Sequence, residues 1–117
     1  MKALGFLVWA VLLVACSKHE DAAPKKATVA PLPAGEVQRG QDACAAYIAK
    51  VCACTSPAAQ KQCTLAKALP EAIKLALDTA ANPETDRADA LRAQTNVLKT
   101  AKQCIKQVAK LPAIGCP

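Results

Sequence analysis

The residues with the most chemistry in this chain are its seven cysteines, Cys16, Cys44, Cys52, Cys54, Cys63, Cys104 and Cys116. A cysteine sulfur can ligate a metal, exchange electrons with a second thiol, close a structural disulfide or carry a covalent group. Spacing separates these uses. Cys52-x-Cys54 supplies two thiolates, but the chain has no second close pair, no Cys-x-x-Cys redox motif and no Cys-x-x-Cys-His. The single histidine, His19, sits between Lys18 and Glu20, away from the cysteine-bearing part, and reads as solvated. On a helix, residues two apart point about 160° apart, which aims Cys52 and Cys54 at different neighbours instead of one ion. The six cysteines from 44 onward are an even set, and three disulfides are their expected use; no metal and no cofactor are expected.

The elements that must position these sulfurs read as helices. The part beyond the first apolar run is rich in Ala, Lys and Gln and poor in β-branched residues, which favours helix over strand. A first helix is expected over 36–54, with Gly40 weakening its opening turns so that Gln41 or Asp42 is a second candidate start. Val37, Cys44, Ile48 and Val51 share its inner face, with Tyr47 at the margin. Ser56-Pro57 is a cap and first-position pair for a second helix, whose inner stripe is Ala59, Cys63, Ala66, Leu69, Ile73 and Leu77. Pro70 interrupts that run, and an interior proline costs about 3 kcal/mol, so a break is expected there. Asn82-Pro83 repeats the signal and is expected to open a third helix over 83–111, with an apolar arc of Ala90, Val97, Leu98, Ala101, Cys104, Ile105 and Val108. The fold class is therefore all-α: a small disulfide-stapled bundle of three helices, or four with a break at Pro70, after a disordered tether. Six cysteines allow 15 pairings. In an up-down-up bundle Cys63 faces the first helix and Cys104 lies near the level of that helix's C-terminal end, which favours Cys44–Cys63, Cys52–Cys104 and Cys54–Cys116.

Cys16 belongs to a different pattern. Lys2 precedes an apolar segment over 3–15 that is interrupted only by Gly5. As a helix it would reach about 20 Å, short of the roughly 30 Å hydrocarbon core, which fits a signal-peptide core better than a membrane span. The segment ends in Leu13-Val14-Ala15-Cys16, which resembles the lipobox of bacterial lipoproteins: an aliphatic residue at −3, a small one at −1 and cysteine at +1. The resemblance covers residues 1–16. It implies a diacylglyceryl group on the Cys16 sulfur, cleavage before Cys16 and, in a Gram-negative host, acylation of the new amino group. Ser17 in place of Asp after the cysteine then favours the outer membrane. The implied organisation is a signal peptide over 1–15, a lipidated cysteine and tether over 16–35, and a helical cysteine-rich domain over 36–117. Residues 17–33 mix Pro, Ala and charge without an apolar period, the composition of a flexible tether.

Removal of residues 1–15 would leave 102 residues, 14 Lys and Arg against 9 Asp and Glu. That mild excess of positive charge suits contact with anionic lipid headgroups or cell-wall polymers. Nucleic acid is a poor partner, because Tyr47 would be the one aromatic left for base stacking. An enzyme is not expected: the helical part has no histidine, and Glu36, Asp42, Glu71, Asp78, Glu84, Asp86 and Asp89 fall at helix ends and exposed positions. The surface feature with direction is Arg92, Lys99, Lys102, Lys106 and Lys110, which at helical spacing lie within about 80°. They are the candidate contact for an anionic lipid, a cell-wall polymer or an acidic envelope protein. The expected function is that of a membrane-anchored envelope lipoprotein with a non-catalytic interaction module. The alternative is a periplasmic small-ligand or metal carrier, using a gap near Pro70 or the Cys52/Cys54 pair.

Overall fold

The computed structural model describes residues 29–117. The apolar run, Cys16 and the tether as far as residue 28 lie outside the described residues. Four helices follow one another: α1 (Ala34–Ala53), α2 (Pro57–Ala66), α3 (Leu69–Ala81) and α4 (Arg87–Lys110), closed by a 3-10 turn at Leu111–Ile114. The described residues contain no strand. The expected all-α, disulfide-stapled bundle is what the chain forms, with the break near Pro70 making it four helices.

Helix α1 starts at Ala34, earlier than expected, because the carbonyl of Pro33 accepts from the backbone N–H groups of Glu36 (2.9 Å) and Val37 (3.1 Å). Gly40 does not delay the helix; it is buried within it, beside Cys44, Tyr47 and Val51. Tyr47, placed at the margin by the helical wheel, is 4% exposed and central. Burial raises its phenol pKa above the ordinary value. Ser56 caps α2 by accepting from Ala59 N–H (3.2 Å), and Pro57 fills the first helical position where no N–H is needed. The helix ends at Ala66, and α3 begins at Leu69 with Pro70 in its first turn. The proline thus starts a helix where it would have broken one. Ala59, Cys63, Ala66 and Ile73 are buried along this pair, with Leu69 and Leu77 partly so.

The Asn82-Pro83 signal opens a turn, not a helix. The side-chain carbonyl of Asn82 accepts from Glu84 N–H (2.9 Å) and its backbone carbonyl accepts from Thr85 N–H (3.0 Å). Those bonds spend Asn82 on the connection, and Asp86 becomes the cap of α4 by accepting from Asp89 N–H (2.9 Å). The inner face of α4 is Ala90, Ala93, Val97 and Cys104, followed by Leu111. Leu98 and Ile105, expected within the apolar arc, are 38% and 61% exposed. Each follows a buried residue directly, and one residue is a rotation of about 100°, enough to carry both out of the seam.

Helices α1 and α4 run in the same direction, and α2 and α3 return between them. Gln94 Nε2 donates to Ala30 O (2.7 Å), Gly40 meets Ala101, Cys44 meets Cys104 and Cys54 meets Cys116. Helix α4 packs on α1 and α3, while α2 packs on α1. At the end of the expected tether, Leu32 packs on the core, so the chain is already held before its first helix begins. Much of the interior is alanine and cysteine, with Val51, Ile73, Val97, Tyr47 and Leu111 as its larger members.

A β-carbon added at Gly40 would lie 2.9 Å from Ala101 Cβ, whereas one added at Gly35 meets nothing within 4 Å. Alanine in a helix gains up to about 1 kcal/mol over glycine. Thermal melts should therefore show Gly35→Ala neutral to stabilising and Gly40→Ala destabilising, against propensity. A Gly40→Ala melt at or above the parent's would show that α1 and α4 do not need this close approach.

Candidate functional site

All six cysteines of the described chain are joined: Cys44–Cys104, Cys52–Cys63 and Cys54–Cys116, with Cα separations of 4.9, 4.8 and 5.4 Å. The expected Cys54–Cys116 bridge is present. The expected Cys44–Cys63 and Cys52–Cys104 bridges are exchanged for Cys44–Cys104 and Cys52–Cys63. The reason is the short connection after α1. It places the start of α2 beside the end of α1, so Cys63 meets Cys52 across a separation of 11 residues, while Cys44 faces the parallel helix α4. Cys52 and Cys54 do bond to different neighbours, as their directions required. Neither is a free thiolate, which removes the Cys52/Cys54 pair as a metal site. Among the described residues no group of three or more His, Cys, Asp or Glu side chains is placed to hold a metal ion.

The tail that carries Cys116 is fixed by two devices. Gly115 takes a left-handed conformation (φ 78°), which turns the chain so that Cys116 N–H donates to Leu111 O (3.1 Å). Ser56 Oγ donates to Ile114 O (2.7 Å) while also capping α2. The Gln60 side-chain amide donates to Cys54 O. One corner of the bundle thus holds the end of α1, the start of α2 and the C-terminal tail.

The five basic residues stand on the exposed side of α4, opposite its buried face. Arg92 is bonded to Asp89 (2.7 Å). Lys99, Lys102, Lys106 and Lys110 make no ion pair among the described residues. Over residues 90–110 the helix carries five cations and no carboxylate. Beside this row lies a second one, two of whose members fall within the predicted apolar arc: Leu91, Leu98 and Ile105, seven residues apart and 42%, 38% and 61% exposed. Residues so spaced drift by only about 20° per step, so the three form one line along the helix. Lys102 is on the adjoining line, four residues from Leu98 and three from Ile105.

An open groove of about 800 Å³ runs between α3 and α4, with Ile73, Ala76, Ala93 and Val97 among its walls and Asp89 and Arg92 at its rim. It lies beyond Pro70, toward the C-terminal part of α3, and Pro70 does not line it. The carboxylates do cap and surface work. Asp86 holds the start of α4. Asp78 pairs with Lys74 (3.0 Å) and raises the lysine's pKa, mainly through that hydrogen bond. No protein-family model, no curated protein and no solved structure matches the chain.

Three measurements check this geometry. Non-reducing peptide mapping should recover the three bridges above. Removing the Cys44–Cys104 pair should also destabilise slightly more than removing Cys52–Cys63, because with Cys54–Cys116 intact the loops they close are about 22 and about 11 residues, for which chain-entropy estimates are about 3.4 and about 2.8 kcal/mol. The Asp86 carboxyl has its pKa lowered, first by the backbone N–H of Asp89 and further by Ala88 N–H and Arg92. Its stabilisation is present above the unfolded carboxylate pKa and is lost as pH falls through the lower folded value. Asp86→Asn keeps a capping oxygen without titrating, so melting temperature against pH should fall less steeply in that acid range than for the parent. An unchanged slope would assign the acid sensitivity elsewhere.

Proposed function

We propose that this chain is a lipid-anchored envelope protein whose helical head is a non-catalytic interaction module. The observation that carries the reading is the closure of all six head cysteines into three disulfides, which leaves Cys16 as the seventh, at the end of a lipobox-like run. A disulfide-closed head suits an exported, oxidising compartment, and there an unpaired thiol would be a liability unless it is used. Acylation of Cys16 uses it: two or three acyl chains contribute about 0.8 kcal/mol per buried methylene and anchor stably where one does not. Among the described residues no helix is long and apolar enough to cross a membrane; in this reading the acyl chains on Cys16 are the anchor. Ser17 after the cysteine favours the outer membrane.

The interaction role is supported by what the head displays. Its carboxylates are spent on caps and exposed pairs, while its directional surface is the basic row of α4. A second reading, a small-ligand carrier, is favoured by the groove between α3 and α4, whose volume falls in the range of ligand sites.

The protein purified from the membranes of producing cells should have lost residues 1–15, carry the added mass of acyl chains on Cys16 and partition into a detergent phase. Cys16→Ala should abolish the added mass and shift the protein to the aqueous phase. An unacylated parent would remove the anchor. A stoichiometric small molecule in native mass spectra of the head would replace the interaction module by the carrier.

A further inference from the structure

The two rows on α4 and the path of the chain into the head point to one occupant. Leu91, Leu98 and Ile105 form an exposed apolar line, and Lys99, Lys102, Lys106 and Lys110 run beside it with no acidic partner among the described residues. An apolar line with lysines along one side suits a helix lying in a membrane interface, with apolar side chains entering the acyl boundary and ammonium groups meeting anionic headgroups. An acidic protein partner would satisfy the lysines equally well. A second feature favours the bilayer. The chain coming from the anchor reaches the head at Ala30, whose carbonyl is held by Gln94 Nε2 at 2.7 Å. Gln94 is three residues from Leu91 and four from Leu98, so the tether joins the head within one helical turn of the apolar line. Cys16 and Ala30 are separated by 14 residues, so full extension keeps them within about 50 Å. The chain therefore enters the head on the flank that carries this line.

We propose that the outer face of α4, with Leu91, Leu98 and Ile105 shallowly inserted and Lys99, Lys102, Lys106 and Lys110 above them, docks the head flat on an anionic phospholipid bilayer. The proposal rests on the lipid-anchor reading and adds the orientation of the head.

The test uses the protein purified from membranes and reconstituted with excess vesicles of phosphatidylcholine alone or with added phosphatidylglycerol. Lysine acetylation is followed residue by residue by mass spectrometry. With phosphatidylglycerol, acetylation of Lys99, Lys102, Lys106 and Lys110 should slow by about threefold or more relative to Lys61 on α2 and Lys67 just after it, and high salt should abolish the difference. The double variant Leu98→Ser, Ile105→Ser should lose the protection, while Leu65→Ser on α2 keeps it. These side chains are exposed, so circular dichroism should show all the variants folded. Equal slowing of every lysine, none at all, or slowing without phosphatidylglycerol overturns the docking. Protection that occurs in native envelopes but not in protein-free vesicles assigns the face to an envelope protein instead. Flotation reports the anchor and the lysine pattern reports the docking, so failure of one is told apart from failure of the other.

Discussion

The close parallel approach of α1 and α4 is the constraint on which the rest of the head depends. The Cα atoms of Cys44 and Cys104 are 4.9 Å apart, toward the short end of what a disulfide spans. Gly40, one turn before Cys44, lets this happen: its missing β-carbon leaves room for Ala101. A larger residue would hold the helices apart one turn before the sulfurs must meet. The glycine that weakens α1 as an isolated helix is therefore what lets it pack. Two parallel helices also cannot be joined by a tight turn, so the chain needs a return segment, and α2 with α3 is that segment. Its break at Lys67 and Ala68 lets α2 lie on α1 while α3 lies on α4.

The close approach follows from a core of small side chains. Alanine brings helices together but buries little apolar surface, and a head of this size starts from a thin margin. The three bridges act where the core is weakest. Cys44–Cys104 fixes the central seam, Cys52–Cys63 fixes the corner between α1 and α2, and Cys54–Cys116 fastens the tail over the same corner. Ser56 and Gly115 complete this end without apolar burial: one hydroxyl serves both a helix start and the tail, and a left-handed glycine aims Cys116 inward.

Much of this was legible in the sequence, and the departures have identifiable causes. The helix count, the Pro70 break and the Ser56 cap follow from local chemistry and hold. The pairing of Cys44 and Cys52 depended on long-range register. In parallel helices partners share a nearly constant offset, and 44 to 104 and 54 to 116 are separated by 60 and 62 residues. The pairing of 52 with 104 breaks that regularity, so the signal was present but needed the helix directions to be used. Helix α4 begins at Arg87, not at Pro83, because Asn82 and Asp86 are both competent caps and the turn bonds of Asn82 decide between them. Leu98 and Ile105 fall on the edge of the apolar arc that helical spacing predicts, yet they are exposed. Helix α4 has two neighbours whose contact arc is already filled by Ala90, Ala93, Val97 and Cys104, and no wheel shows where a neighbour stops.

The charges of α4 divide by the same geometry. Because α1 and α4 are parallel, their C-terminal carbonyl ends gather at one end of the head, and the negative ends of two helix dipoles lie together there. Lys50 in the last turn of α1 and Lys110 in the last turn of α4 answer that charge, and Lys106 stands one turn before it. The influence of a dipole fades within the last turn, whereas Lys102 and Lys99 lie two and three turns from the end of α4. Neither has a carboxylate partner among the described residues, and Lys102 stands beside Leu98 and Ile105, which the core leaves exposed. Helix stability therefore explains the cations at the carbonyl end, and it does not explain the middle of the row. There the charge and the exposed apolar line occur together, which is the combination a purely solvated helix face has no use for.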